Sequence, residues 1–191
     1  TVDSTRAVFE SLGCIVEEAE PDFSDADEIF KAWRAWSFEA GLAEEYQNHK
    51  DQLKDTVIWN IEQGLLLSGP YLARMEMKRT QLFHRLREFM QSYEFLILPV
   101  SQVLPFDVNQ PYPTEISGEK MPTYIDWMKS CYYISTLGHP ALSVPGGFTS
   151  SGLPVGVQIV GRHHDDWGVL QLGYAFEQVT QCWKRHPQIA A

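Results

Sequence analysis

The 191-residue chain carries 25 acidic against 15 basic side chains, a net charge of −10 at pH 7. A field of that sign argues against charge-driven binding to nucleic acid or to an anionic membrane surface. At 44% hydrophobic and 21% charged residues the composition is that of a globular domain with one sizeable core, and no apolar run approaches the roughly 20 residues of a membrane-spanning helix.

Residues 3–12 read as a helix with Ala7, Val8 and Leu12 on one side, Asp3 or Ser4 as its cap and Gly13 at the position where a helix is left behind. Cys14-Ile15-Val16 reads as a short strand. Ser24 or Asp25 then caps a helix over about 26–46, whose stripe is Ile29, Trp33, Trp36, Ser37 and Ala40. A third helix carries Val57, Ile58, Ile61 and Leu65 up to the break at Ser68-Gly69-Pro70. The next, about 70–92, is the longest, with Leu72, Met75, Leu82, Leu86, Phe89 and Met90 in line. Glu94 to Val100 is a nearly continuous apolar run and is expected to be a strand buried on both faces. Residues 101–122, with Pro105, Pro111, Pro113, Pro122 and Gly118 and little periodicity, form a long loop of the kind that lids or walls a pocket. A helix over about 123–137 ends at Gly138. Two strands follow, around Leu142–Val144 and Val155–Val160, with Gly146 to Gly152 expected as the turn between them. Asp165 or Asp166 caps a last helix bearing Val169, Leu172, Phe176 and Val179. Helices alternating with apolar strands define an α/β class, read as one unit over residues 1–191.

Few residues offer chemistry. Thr149-Ser150-Ser151-Gly152 is turn composition. Ser143 lacks the flanking glycines of a nucleophile elbow, since Ala141 and Pro145 stand there. His163-His164-Asp165-Asp166 has metal-ligand residue types, but neighbours in sequence project in different directions, and a helix-capping turn is the better account. Arg74, Lys78, Arg79, Arg85 and Arg87 on the long helix read as a solvated face rather than an RNA contact. Cys14, Cys131 and Cys182 are odd in number and form no close pair, so no disulfide framework or zinc site is expected, and a reducing, cytoplasmic compartment fits. No signal-peptide pattern is read at the start. The opening Thr1-Val2-Asp3, without an initiator Met, is that expected of a piece of a longer polypeptide. Tyr124, Trp127 and Met128, with Cys131, sit where the long loop meets a glycine-bounded strand entry, a place suited to a pocket wall.

The block from Gly138-His139-Pro140-Ala141-Leu142-Ser143-Val144-Pro145-Gly146-Gly147 to Gly156-Val157-Gln158-Ile159-Val160-Gly161-Arg162 resembles the C-terminal portion of the amidase signature family. Leu12-Gly13-Cys14-Ile15-Val16, Trp59-Asn60-Ile61-Glu62-Gln63-Gly64, Phe95-Leu96-Ile97-Leu98-Pro99 and Phe176-Glu177 match it in the same order. The resemblance implies the C-terminal part of a mixed β-sheet core covered by helices, acting in hydrolysis of a carboxylic amide to acid and ammonia. In that family a Lys acts through a bridging cis-Ser on a second, nucleophilic Ser, and glycine-rich backbone N–H groups hold the oxyanion. The Gly-Gly-Ser-Ser loop and the base Lys belong to the family's N-terminal half. No Gly-Gly-Ser-Ser occurs here, so no catalytic residue is assigned to this chain. The expected partners are a small-molecule amide substrate and the missing N-terminal portion of the same protein, with a homodimer as a further possibility. No cofactor, metal, nucleic acid or membrane is expected. Tyr124, Trp127, Met128 and Asn60 are the candidate substrate-binding residues. The glutamine-hydrolysing components of tRNA-dependent amidotransferases carry an Arg and an Asp near the positions of Asn60 and Met128; neither residue is charged here, and Asp126 is displaced. The alternatives to a simple amidase are such an amidotransferase component and a non-catalytic scaffold module.

Overall fold

The computed structural model describes residues 2–185. In chain order the elements are α1 (Arg6–Ser11), α2 (Ala26–Asn48), α3 (Asp55–Leu65), α4 (Gly69–Ser92), β1 (Phe95–Pro99), β2 (Glu115–Ile116), β3 (Glu119–Lys120), α5 (Lys129–Leu137), β4 (Ala141–Phe148), β5 (Pro154–Gly161) and α6 (Asp166–Thr180). They fall into two compact units: residues 2–21 with 87–185, and Asp22–Leu86. The α/β expectation holds, and every strand pairing among the described residues is antiparallel. No helix among those residues is long and apolar enough to cross a membrane.

The first unit is built on a three-stranded sheet of order β1-β5-β4. Leu142 faces Ile159 and Val144 faces Val157 across the β4–β5 ladder, while Ile97 faces Ile159 across the β1–β5 ladder. Val144, Val157 and Ile159 join Phe9 of α1 and Val169 and Phe176 of α6 in one buried cluster. The Phe9 and Phe176 rings lie 4.9 Å apart. α6 sits close to the sheet because Gly173 has no side chain: a Cβ there would stand 2.2 Å from Leu142 Cδ2. Its N-terminus is capped by Asp165, whose Oδ1 accepts from the Gly168 N–H at 2.9 Å, as one of the two sequence candidates predicts.

Several local expectations are corrected here. Cys14-Ile15-Val16 is extended but not a strand; Cys14 and Val16 pack on the core while Ile15 is 92% exposed, and no ladder pairs with them among the described residues. Residues 94–100 are not buried on both faces as expected: among the described residues β1 pairs with β5 alone, and only Leu96 of it is fully buried. The turn after β4 is shorter than the glycines imply. Gly146 to Phe148 continue the strand through a bulge after Pro145, and the turn proper is closed by Thr149 and Leu153. Gly146 is there for room, since a Cβ would come 2.4 Å from Val157 Cγ2. The first helix begins as a 3-10 turn over Asp3–Thr5 without a side-chain cap bond at Val2, and Thr5 Oγ1 instead donates to the Val2 carbonyl at 2.7 Å. The long loop contains the small β2–β3 hairpin, turned by Ser117 and Gly118, both at positive φ.

The second unit is helical. α2 buries Ala26, Ile29, Ala32 and Ala35, whereas Trp36, Ser37 and Ala40 of the expected stripe are exposed. Small residues decide this face because α3 comes very close: a Cβ on Gly64 would lie 2.4 Å from the Ala35 carbonyl oxygen. Asp25 stands at the start of α2 with φ 71° and makes no side-chain cap bond. Its carboxylate is drawn instead to Lys78 Nζ at 3.0 Å and Arg85 at 3.5 Å.

Candidate functional site

The end of β1 is clamped to the start of α5. Val100 N–H donates to the Gly156 carbonyl at 3.4 Å, continuing the ladder one step past Pro99. The Val100 carbonyl accepts from Ser130 Oγ at 2.9 Å and from Cys131 Sγ at 2.6 Å. Gln102 accepts from the Lys129 N–H, which is one of the unpaired donors at the start of α5. Gln158 of β5 donates to the Ser130 carbonyl at 3.2 Å. Just upstream, Asp126 is buried and its Oδ2 accepts from both the N–H and the hydroxyl of Thr123, at 2.7 and 2.6 Å. These bonds hold the 3-10 turn Asp126–Met128, which carries Trp127.

A groove of about 540 Å³ opens beside that clamp. Its walls are Val2, the end of β1 running into the loop from Ser101 to Phe106, Trp127, and the first residues of β5. Phe106 meets Trp127 edge to face, with centroids 5.4 Å apart and planes at 89°. Gly156 admits the Val100 side chain, because a Cβ would sit 3.0 Å from Val100 Cγ2. Among the described residues, no charged side chain lines the groove. Ser101 Oγ is turned to the Val103 N–H at 3.4 Å.

Of the candidate binding residues, Trp127 alone lines this groove. Tyr124 and Met128 flank it in sequence and are half-buried. Asn60 lies in α3 of the helical unit, 1% exposed, with its amide donating to the Thr56 carbonyl at 2.6 Å. Phe106 and Leu104 escape sequence reasoning. The Pro-rich loop marks their region, but nothing in its composition says which of its apolar residues turn inward.

Among the described residues, the cysteines and the paired lysines are poorly set to attack a carbonyl or to activate a nucleophile. Burial pushes the Cys131 and Cys14 thiols up, away from the thiolate a nucleophile needs. Thr149 Oγ1 and Ser151 Oγ bond to each other in the turn at 2.8 Å. A lysine base requires a lowered pKa. Lys50 is raised instead by hydrogen bonds to Tyr46 and Glu62, and Lys78 by bonds to Glu28 and Asp25. On α4, Lys78 is matched by Asp25 and Glu28, Arg79 by Glu76, and Arg85 by Asp22 and Asp25. Among the described residues no group of three or more His, Cys, Asp or Glu is placed to hold a metal ion.

The family model for amidases matches residues 2–170. The chain belongs to the amidase signature family. An acylamidase of Rhodococcus erythropolis is 31% identical over 189 residues, which cover 95% of this chain and 38% of that protein. The A component of a glutamyl-tRNA(Gln) amidotransferase from Thermodesulfovibrio yellowstonii is 32% identical over 120 residues, covering 61% of this chain and 23% of the relative. Among solved structures, a bacterial aryl acylamidase of the same family superimposes with a TM-score of 0.82 at 24% identity, over 94% of this chain and 39% of that one. A 6-aminohexanoate cyclic dimer hydrolase also superimposes at 0.82, with 18% identity. These two establish a shared fold. As an amidase signature chain, the protein spans less than two fifths of the length of the acylamidase it matches.

Proposed function

We propose that this chain is the C-terminal part of an amidase signature hydrolase that converts a carboxylic amide and water to acid and ammonia. One observation carries the reading: 95% of the chain aligns with only 38% of an acylamidase, while its own sequence has no Gly-Gly-Ser-Ser loop. The nucleophilic Ser, the bridging cis-Ser and the base Lys then lie in sequence outside this chain. The Ser oxygen adds to the amide carbonyl, backbone N–H groups hold the resulting oxyanion, and ammonia leaves with a proton relayed from the base. Water then releases the acid from the acyl-enzyme. This chain contributes three strands of the sheet and the groove wall that carries Trp127.

A simple amidase is favoured over an amidotransferase component by the extent of the match, 95% of the chain for the acylamidase against 61% for the amidotransferase. The test is ammonia release by the longer polypeptide, comparing simple amides with glutamine in the presence and absence of tRNA. Turnover of simple amides without tRNA is expected, lost when the Ser residues of the upstream Gly-Gly-Ser-Ser loop become Ala. Activity confined to glutamine and dependent on tRNA and partner proteins contradicts the reading.

A further inference from the structure

We infer that the outward face of α6 is a seam on which a second copy of this protein docks through its own α6. The inference goes beyond the amide-hydrolase reading and does not depend on it. α6 turns Val169, Gly173 and Phe176 onto the sheet, where they are buried. On its other side Trp167, Leu170 and Tyr174 recur at i, i+3 and i+7, and they are 70%, 53% and 66% exposed. Gln171 and Gln178 stand beside them, also exposed. The helix has only two ionised side chains, Asp166 and Glu177, and both fall on one flank of the stripe. A water-facing stripe of Trp, Leu and Tyr edged by Gln has the make-up of an interface centre, where aromatics are enriched and charges depleted.

Charge, symmetry and area select the occupant. Each copy carries a net charge of −10, so two copies repel across most of their surface and can meet at low cost through an uncharged stripe. The stripe is also nearly palindromic, with an aromatic three residues before Leu170 and another four residues after it. A two-fold axis at Leu170 therefore makes an antiparallel pair in which Trp167 of one copy meets Tyr174 of the other, twice, with the two Leu170 side chains between them. Trp167, Leu170 and Tyr174 together offer on the order of 400 Å² per copy, about half of the roughly 800 Å² each partner gives to a standard interface. The Gln rim adds to this, and the expected dimer is a weak one, with Kd on the order of 10 µM. An upstream segment that extends the sheet adds beyond β1 or β4, whereas the stripe points away from the sheet.

The test is sedimentation velocity of the 191-residue chain and of the longer polypeptide, each from about 1 to about 200 µM. Both are expected to pass from monomer to dimer over that range. Trp167→Glu and Tyr174→Lys should each weaken the dimer at least about tenfold and leave the thermal transition in place, since both positions are exposed. Mixing the two variants should bring a dimer back, because the axis sets position 167 of one copy against position 174 of the other and so pairs the introduced charges. Leu170→Asp, which places two carboxylates at the axis, keeps the test open should the Trp167 variant fold poorly. Chains that stay monomeric throughout, a dimer that survives all three substitutions, or variants that fail to recover on mixing overturn the assignment. A longer polypeptide that stays monomeric with Trp167 shielded from acrylamide overturns it too, and names the upstream portion as the cover.

Discussion

Gly64 shows how a single missing methyl sets a helix contact. Its Cβ position lies 2.4 Å from a backbone oxygen and 2.5 Å from Glu39 Cβ, neither of which can swing aside. Gly64→Ala should therefore cost about 2 kcal/mol through overpacking, despite the better helix propensity of Ala, and urea melts should show it. His139 makes the opposite kind of claim, about protons. Burial holds its imidazole below the ordinary value of 6.5, the Leu137 backbone opposes that, and His163 adds to it. The folded state thus binds fewer protons at this site than the unfolded chain. The stability it contributes is complete above 6.5 and falls as pH drops through that value toward the lower folded-state pKa. The urea midpoint should decrease between about pH 7.5 and about pH 5.5, and His139→Gln should flatten that slope. Asp22 and Glu62 have lowered carboxyl pKa values from hydrogen bonds to Ser24 and Lys50, so their effect falls at more acid pH. At this scale the sequence is informative about Trp127 and silent about Phe106. An aromatic at a loop–helix junction carries a positional signal, whereas one inside a Pro-rich loop carries none.

Element ends are legible where a residue type has one local job. Asp165 is such a case: its carboxylate takes the Gly168 N–H, and Asp165→Ala should lower stability by about 1 kcal/mol, with Asp165→Ser restoring most of it in a thermal melt. Gly138 likewise ends α5 in the left-handed region at φ 67°. Elements that depend on a distant partner are not legible. Cys14-Ile15-Val16 has the composition of a strand, but composition predicts an extended chain, and a strand further needs a neighbour's N–H and C=O groups. Gly146 and Gly147 have turn composition, yet Gly146 answers to Val157 on the neighbouring strand. The stripe expected on α2 is right at Ile29 and drifts off the buried face at Trp36, Ser37 and Ala40, because Trp weighs more than Ala in a hydrophobic pattern while the neighbouring helix requires Ala32 and Ala35. The Ser117-Gly118 pair of the small hairpin is readable in principle, as a two-residue turn needing positive φ at both places.

For the molecule as a whole, the family is legible: the motifs from Leu12 to Arg162 that suggest it fall within residues 2–170, which the family model matches. The site is only half legible. The sequence singles out the loop at 101–122 and Trp127, and residues of both line the groove. The groove itself arises from four separated segments held by bonds such as Ser130 to Val100, and such bonds leave no periodic trace. The central claim is that the groove wall and part of the sheet are here while the nucleophile and base are elsewhere. The most direct measurement is ammonia release from simple aliphatic and aromatic amides by the purified 191-residue chain alone, set beside the longer polypeptide. The account predicts none above buffer from the chain and sustained release from the longer protein. Steady turnover by the 191 residues on their own would contradict it.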